Sequence, residues 1–156
     1  MRLTAAILCF ATCFTCMYRE AVADEPVTLL GTISQWVYPK SAMNSAEMSD
    51  AATVDSEGNR TVQSIVCKTT MTTDDPVEKV LTFYKTKLAP DKNADAKTKA
   101  ELKGGRSVLV SDDSAGRPFS LHTILVNSET TSTTLIISRA DGEKQTYIVW
   151  KHYVRL

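Results

Sequence analysis

The chain has 156 residues, 43% of them hydrophobic, and its 18 basic and 18 acidic side chains cancel to a formal charge of zero. That length argues for one domain with enough apolar material to build a packed core. The charge balance implies no basic face, which argues against nucleic acid and against an electrostatic membrane-surface binder.

Residues 1–23 read as an export signal. Arg2 supplies a minimal positive start, Leu3 through Tyr18 form an apolar run, and Ala21-Val22-Ala23 fits the small-residue pattern that precedes cleavage. Cleavage between Ala23 and Asp24 would leave a mature domain of residues 24–156; retention as an N-terminal anchor is the alternative. The run is short of the roughly 20 residues of a comfortable membrane span, so the mature domain is not expected to cross a membrane. Losing Arg2, Arg19 and Glu20 turns 18 basic and 18 acidic side chains into 16 and 17, a net charge of −1. Cys9, Cys13 and Cys16 all fall in this leader. Their surroundings are apolar and hold no histidine, so a metal reading is poor. Neither Cys13 nor Cys16 follows a lipid-attachment pattern. Cys67 is the remaining cysteine of the mature domain, which therefore has no internal disulfide and depends on its core.

In chain order, Asp24 to Ile33 is compatible with a strand or a short helix. Trp36-Val37-Tyr38-Pro39 reads as an irregular stretch, because the residue before proline favours extended geometry, and its aromatics are expected to cover the core edge. Residues 40–60 lack a clean period and read as weakly structured. A weak strand over 46–54 is expected there, turned at Asp55-Ser56-Glu57-Gly58-Asn59. Thr61 to Thr73 alternates and is rich in Val, Ile and Thr, which predicts a strand with Cys67 pointing into the core.

The clearest element runs from Pro76 to Leu88. Val77, Val80, Leu81, Tyr84 and Leu88 make one apolar stripe at helical spacing, widened by Phe83. Asp74 or Asp75 is the expected N-cap, with Pro76 in the first helical position. Residues 89–105 read as a second weakly structured link, with a short exposed helix over 95–103 as one option. Four strands then follow, over 107–112, 118–127, 132–139 and 144–153. They are joined by turns short enough to require antiparallel pairing. Asp141-Gly142 marks the last hairpin. The expected class is α+β: one main amphipathic helix packed on an antiparallel sheet of about four to six strands.

No catalytic motif is present. The G-x-S-x-G, G-x-G-x-x-G and H-E-x-x-H patterns are missing, as are paired C-x2-C spacings, so neither a cofactor nor a metal is implied. Ser120, His122 and Asp112 can be assembled into a hydrolytic set on paper, but nothing local marks the serine as a nucleophile. The most unusual cluster closes the chain. Trp150 and His152 share one face of the last strand, and Lys151, Tyr153 and Arg155 share the other. The second set suits an anionic or sugar-like ligand. Candidate ligand-binding residues are thus His122, Lys151, His152, Tyr153 and Arg155.

The segments from Trp36 to Ala42, Thr72 to Tyr84, Gly116 to Pro118, Thr131 to Arg139 and His152-Tyr153 resemble a group of small exported bacterial proteins of planctomycete type, whose function is unknown. The resemblance implies export to the periplasm, envelope or exterior and transfers no activity. The resulting expectation is an exported, non-enzymatic binding or envelope-associated domain whose partner is an envelope protein or a cell-wall component. The alternatives are an enzyme-like small-ligand pocket between helix and sheet that uses His122 or His152, and an inhibitor of an exported hydrolase.

Overall fold

The computed structural model describes residues 28–89 and 106–156. The segment expected as a leader, the Ala23–Asp24 junction and the optional helix over 95–103 lie outside the described residues. The elements run α1 (Leu29–Ser34), β1 (Ala42–Asp50), β2 (Thr53–Val54), β3 (Arg60–Val62), β4 (Ser64–Thr73), α2 (Val77–Leu88), β5 (Ser107–Asp112), β6 (Phe119–Asn127), β7 (Thr131–Ala140) and β8 (Thr146–Arg155).

The expected α+β class is overturned. Strand makes up 52% of the described residues and helix 16%, with only two short helices, so the domain is mostly β. The difference lies chiefly in the stretch read as weakly structured. Residues 42–50 form a nine-residue strand whose side chains are all exposed. The weak strand expected over 46–54 is in part present, but it begins four residues earlier and breaks between β1 and β2. β1 is held by its backbone ladder to β4, from Ala42 opposite Thr72 to Asp50 opposite Ile65.

Six strands make one sheet in the order β1-β4-β8-β7-β6-β5, and β2 and β3 pair separately. Every pairing is antiparallel. β1 and β4 are the arms of a long hairpin tipped by β2 and β3. At that tip the Asp55 carboxylate accepts from the N–H groups of Glu57 and Asn59, and Gly58 takes a φ of 84° that other residues resist. The chain next passes through α2 to the opposite edge, and β5 to β8 meander back. The last strand is thereby inserted between β4 and β7.

Alternation along the strands puts Cys67, Met71, Ile124, Leu135, Ile137, Ile148 and Trp150 on one face. Ile33, Tyr38 and the α2 stripe of Val77, Val80, Leu81, Tyr84 and Leu88 complete the core there. A 12-residue helix is marginal alone in water. Each buried apolar side chain of the stripe contributes about 1.5–3 kcal/mol, which makes the helix a product of the core. Its start differs from expectation. Pro76 occupies the N-cap position and no side chain caps the helix. The Asp75 carboxylate is engaged elsewhere, accepting from Tyr38 Oη and Lys79 Nζ, each at 2.7 Å. The helix is instead pinned by tertiary bonds. Thr146 Oγ1 donates to the Asp75 carbonyl at 2.7 Å, and Tyr84 Oη donates to the Trp36 carbonyl at 2.7 Å. Burial pushes the Tyr84 hydroxyl well above its ordinary range, so it stays a donor. Tyr84→Phe keeps the packing and removes that bond. It should lower unfolding free energy by about 1 kcal/mol, seen in urea as a lower midpoint with an unchanged slope.

Candidate functional site

β8 carries both faces of the sheet in one strand. Thr146, Ile148, Trp150 and His152 are buried, whereas Tyr147, Val149, Lys151 and Arg155 are exposed and Tyr153 is half-buried. The five sequence candidates therefore separate. Lys151, Tyr153 and Arg155 share the open face. His122 and His152 belong to the core face.

His152 is a core histidine. Its Nδ1 shares a 2.6 Å hydrogen bond with Thr133 Oγ1, and its ring stacks on Trp150 at 5.5 Å and 8°, with Trp36 at 6.3 Å. Trp150 Nε1 is buried without a hydrogen-bond partner among the described residues. His122 pairs with Asp112 across β5 and β6, with Nδ1 3.5 Å from Oδ1. The register runs from His122 through Ile137 to Ile148, four residues before His152 on β8. Strand rise and spacing then put the two histidines about 16 Å apart. They do not converge. Neither lines the clefts beside Tyr38 or Tyr153 described below. Ser120 makes no hydrogen bond to His122 among the described residues, so the paper triad has no assembled geometry. Among the same residues, no group of three or more His, Cys, Asp or Glu side chains is placed to hold a metal ion. Cys67 is buried, and that burial pushes its thiol up, away from reactive thiolate.

On the open face, Lys151 lies directly opposite Lys68 of β4. With Ala51, Val66, Ser132, Thr134 and Tyr153 they line a half-open bowl of about 460 Å³. Tyr153 Oη and Ser64 Oγ share a 2.6 Å hydrogen bond that fixes the ring as one wall. Lys68 Nζ reaches Glu47 Oε1 at 2.9 Å, but both side chains are about half exposed, and such pairs are worth about 0–1 kcal/mol. Lys151 has no ion-pair partner among the described residues. Like charges directly opposite in a sheet repel. Lys68 is the residue that sequence reasoning missed. Alternation already set it on the face opposite Cys67. What was missing was the pairing of β4 with β8, which joins segments far apart in the chain.

A second cleft, about 640 Å³, runs beside α2 past Tyr38, Pro39, Lys40, Asp75, Lys79 and Phe83. Lys40 sits at φ 63°, a left-handed conformation uncommon outside glycine. Burial, and then the Asp75 carboxylate, push the Tyr38 hydroxyl up to about 12. Hydrogen bonds from Lys79 and Tyr38 hold Asp75 below the usual carboxylate range. Phe83 packs edge-on against Tyr38 at 5.2 Å and Tyr84 at 5.0 Å. These groups satisfy one another and latch the α1–β1 connection to the helix. Comparison with protein-family models, curated proteins and solved structures finds no match to this chain.

Burial of His152 holds its pKa below the ordinary 6.5. Above that value both folded and unfolded states carry a neutral ring. As pH falls through it the unfolded state takes the proton first, so stability is lost on acidification. The thermal midpoint should fall between about pH 7 and pH 5, and His152→Gln should flatten part of that slope. Identical slopes in the two proteins would assign the loss to other groups.

Proposed function

We propose that this chain is an exported, non-enzymatic binding domain that holds an anionic ligand on the open face of its sheet. The observation that carries the reading is Lys68 facing Lys151 across β4 and β8. Two lysines at directly opposite positions disfavour the free domain, and the half-exposed Glu47 pair offsets this only weakly. A bound carboxylate or phosphate converts that repulsion into two charge-assisted hydrogen bonds. Ser132 and Thr134 add hydroxyls beside them, Val66 and the Tyr153 ring add an apolar wall, and Arg155 extends the cationic strip along β8.

The bowl is about half open to solvent, so an occupant can run out of it along the strands. That shape suits an extended polymer lying across the strands. A cell-wall component bearing uronic acid or phosphate groups has the matching chemistry. The leader ending at Ala21-Val22-Ala23 and the resemblance to small exported proteins support the same destination. The separation of His122 from His152 favours binding over turnover.

The test is thermal shift and calorimetry with inorganic phosphate, an oligogalacturonate and a poly(glycerol phosphate), each at low and high salt. A ligand at 100 times its dissociation constant adds about 2.7 kcal/mol to the folded state. The gain should vanish in Lys68→Ala/Lys151→Ala, persist in His122→Ala and shrink with salt. A flat response to all three probes would sink the reading. Without ligand, Lys151→Thr should raise stability by up to about 0.5 kcal/mol through relief of the repulsion, measured as a higher urea midpoint.

A further inference from the structure

The two edges of the six-stranded sheet are built differently. β1 is interrupted by a register shift between Met43 and Ser45 and carries Glu47 and Asp50. Bulges and charges of this kind keep an edge from pairing with another chain. β5 has neither device within its apolar middle. It reads Ser107-Val108-Leu109-Val110-Ser111-Asp112, with Val108, Leu109 and Val110 exposed at 42%, 61% and 43%. Its outer side is unpaired among the described residues.

We infer that β5 is a self-association edge, on which a second copy of this chain pairs its own β5 antiparallel about a two-fold axis at Leu109. The sequence carries the symmetry, since Ser107-Val108-Leu109-Val110-Ser111 reads the same in both directions. Such a pairing sets Leu109 against Leu109, each Val108 against Val110 of the second copy, and each Ser107 against Ser111 of the second copy. It also sets each Arg106 against Asp112 of the second copy, which closes both ends with opposite charges. The Asp112 carboxylate is held ionised by hydrogen bonds from Ser114 and by His122.

The backbone permits this register. The Asp113 N–H donates to the Leu121 carbonyl at 2.9 Å, in phase with the β5–β6 ladder. Odd-numbered residues of β5 therefore aim their N–H and C=O groups at β6. Arg106, Val108, Val110 and Asp112 aim theirs outward. In the pairing about Leu109, outward residues meet outward residues and exchange two hydrogen bonds per pair. Registers centred on Val108 or Val110 also satisfy the backbone, but they set Arg106 or Asp112 against valine. Only the Leu109 register matches charge and apolar side chains together.

Side-chain burial agrees on both faces. On the core side, Val108 and Val110 border a small apolar notch of about 200 Å³ with Leu88, Ala89, Ile124 and Lys85. Val110 and Val108 of the second copy extend that apolar surface. On the open side, Leu109 neighbours Leu125, and the two-fold continues this into a row of four leucines.

Analytical ultracentrifugation of the folded chain over a wide concentration range tests the inference. The expected result is a monomer–dimer equilibrium. Arg106→Asp and Asp112→Arg should each weaken it about tenfold through like-charge contact, and the double variant R106D/D112R should restore it. Val110→Pro removes an outward N–H and should abolish the dimer while circular dichroism stays native. A monomer at every concentration would overturn the inference. So would a dimer indifferent to R106D and V110P, or a double variant no stronger than its parents.

Discussion

Pairing of β4 with β8 is the constraint on which the rest of the molecule depends. It joins the β1–β4 hairpin to the β5–β8 meander along ten register pairs, from Ser64 opposite Arg155 to Thr73 opposite Thr146. On one side of that seam it sets Cys67 beside His152 and Met71 beside Ile148, the centre of the core. On the other side it sets Lys68 beside Lys151. One set of backbone bonds thus creates both the driest and the most charged part of the sheet. Core and bowl cannot be altered independently, because a slip of one residue would exchange the faces.

The two faces solve opposite electrostatic problems. In the core, burial keeps His152 neutral and gives it a single hydroxyl partner, Thr133. An ionised ring there would meet no carboxylate among the described residues. On the open face the lysines remain hydrated, and their mutual repulsion is tolerated because water screens it. Glu47 offsets Lys68 only weakly, as an exposed pair, and Lys151 has no ion-pair partner among the described residues. The latch of Tyr38, Asp75 and Lys79 shows the contrasting arrangement, in which every charged group is satisfied internally.

Local signals were readable and non-local ones were not. The α2 stripe of Val77, Val80, Leu81, Tyr84 and Leu88 follows from spacing, and its burial matches. The two faces of the last strand follow from alternation. The class failed because the described residues are 52% strand against 16% helix, and the exposed β1, expected only as a weak strand over 46–54, extends from Ala42 along β4. The cap failed because Asp75 has better partners in Tyr38 and Lys79 than in the helix backbone. For the site, Lys151, Tyr153 and Arg155 came from one strand. Lys68 required knowing which strand lies beside it. His122 and His152 were chosen for residue type, and type says nothing about which side of a sheet a ring occupies.

Insertion of β8 between β4 and β7 also orders events during folding. Until the final strand is in place, β4 has a neighbour on one side only, and so does β7. Trp150, Ile148 and His152 are then missing from the middle of the core. Neither half can complete its core without β8, and the pairing of β4 with β8 closes a long loop, which carries a high entropy cost. A chain that lost its last strand would be two open sheets with exposed edges, a species prone to aggregation and proteolysis. β8 is the keystone of the domain, since one strand joins both halves at once.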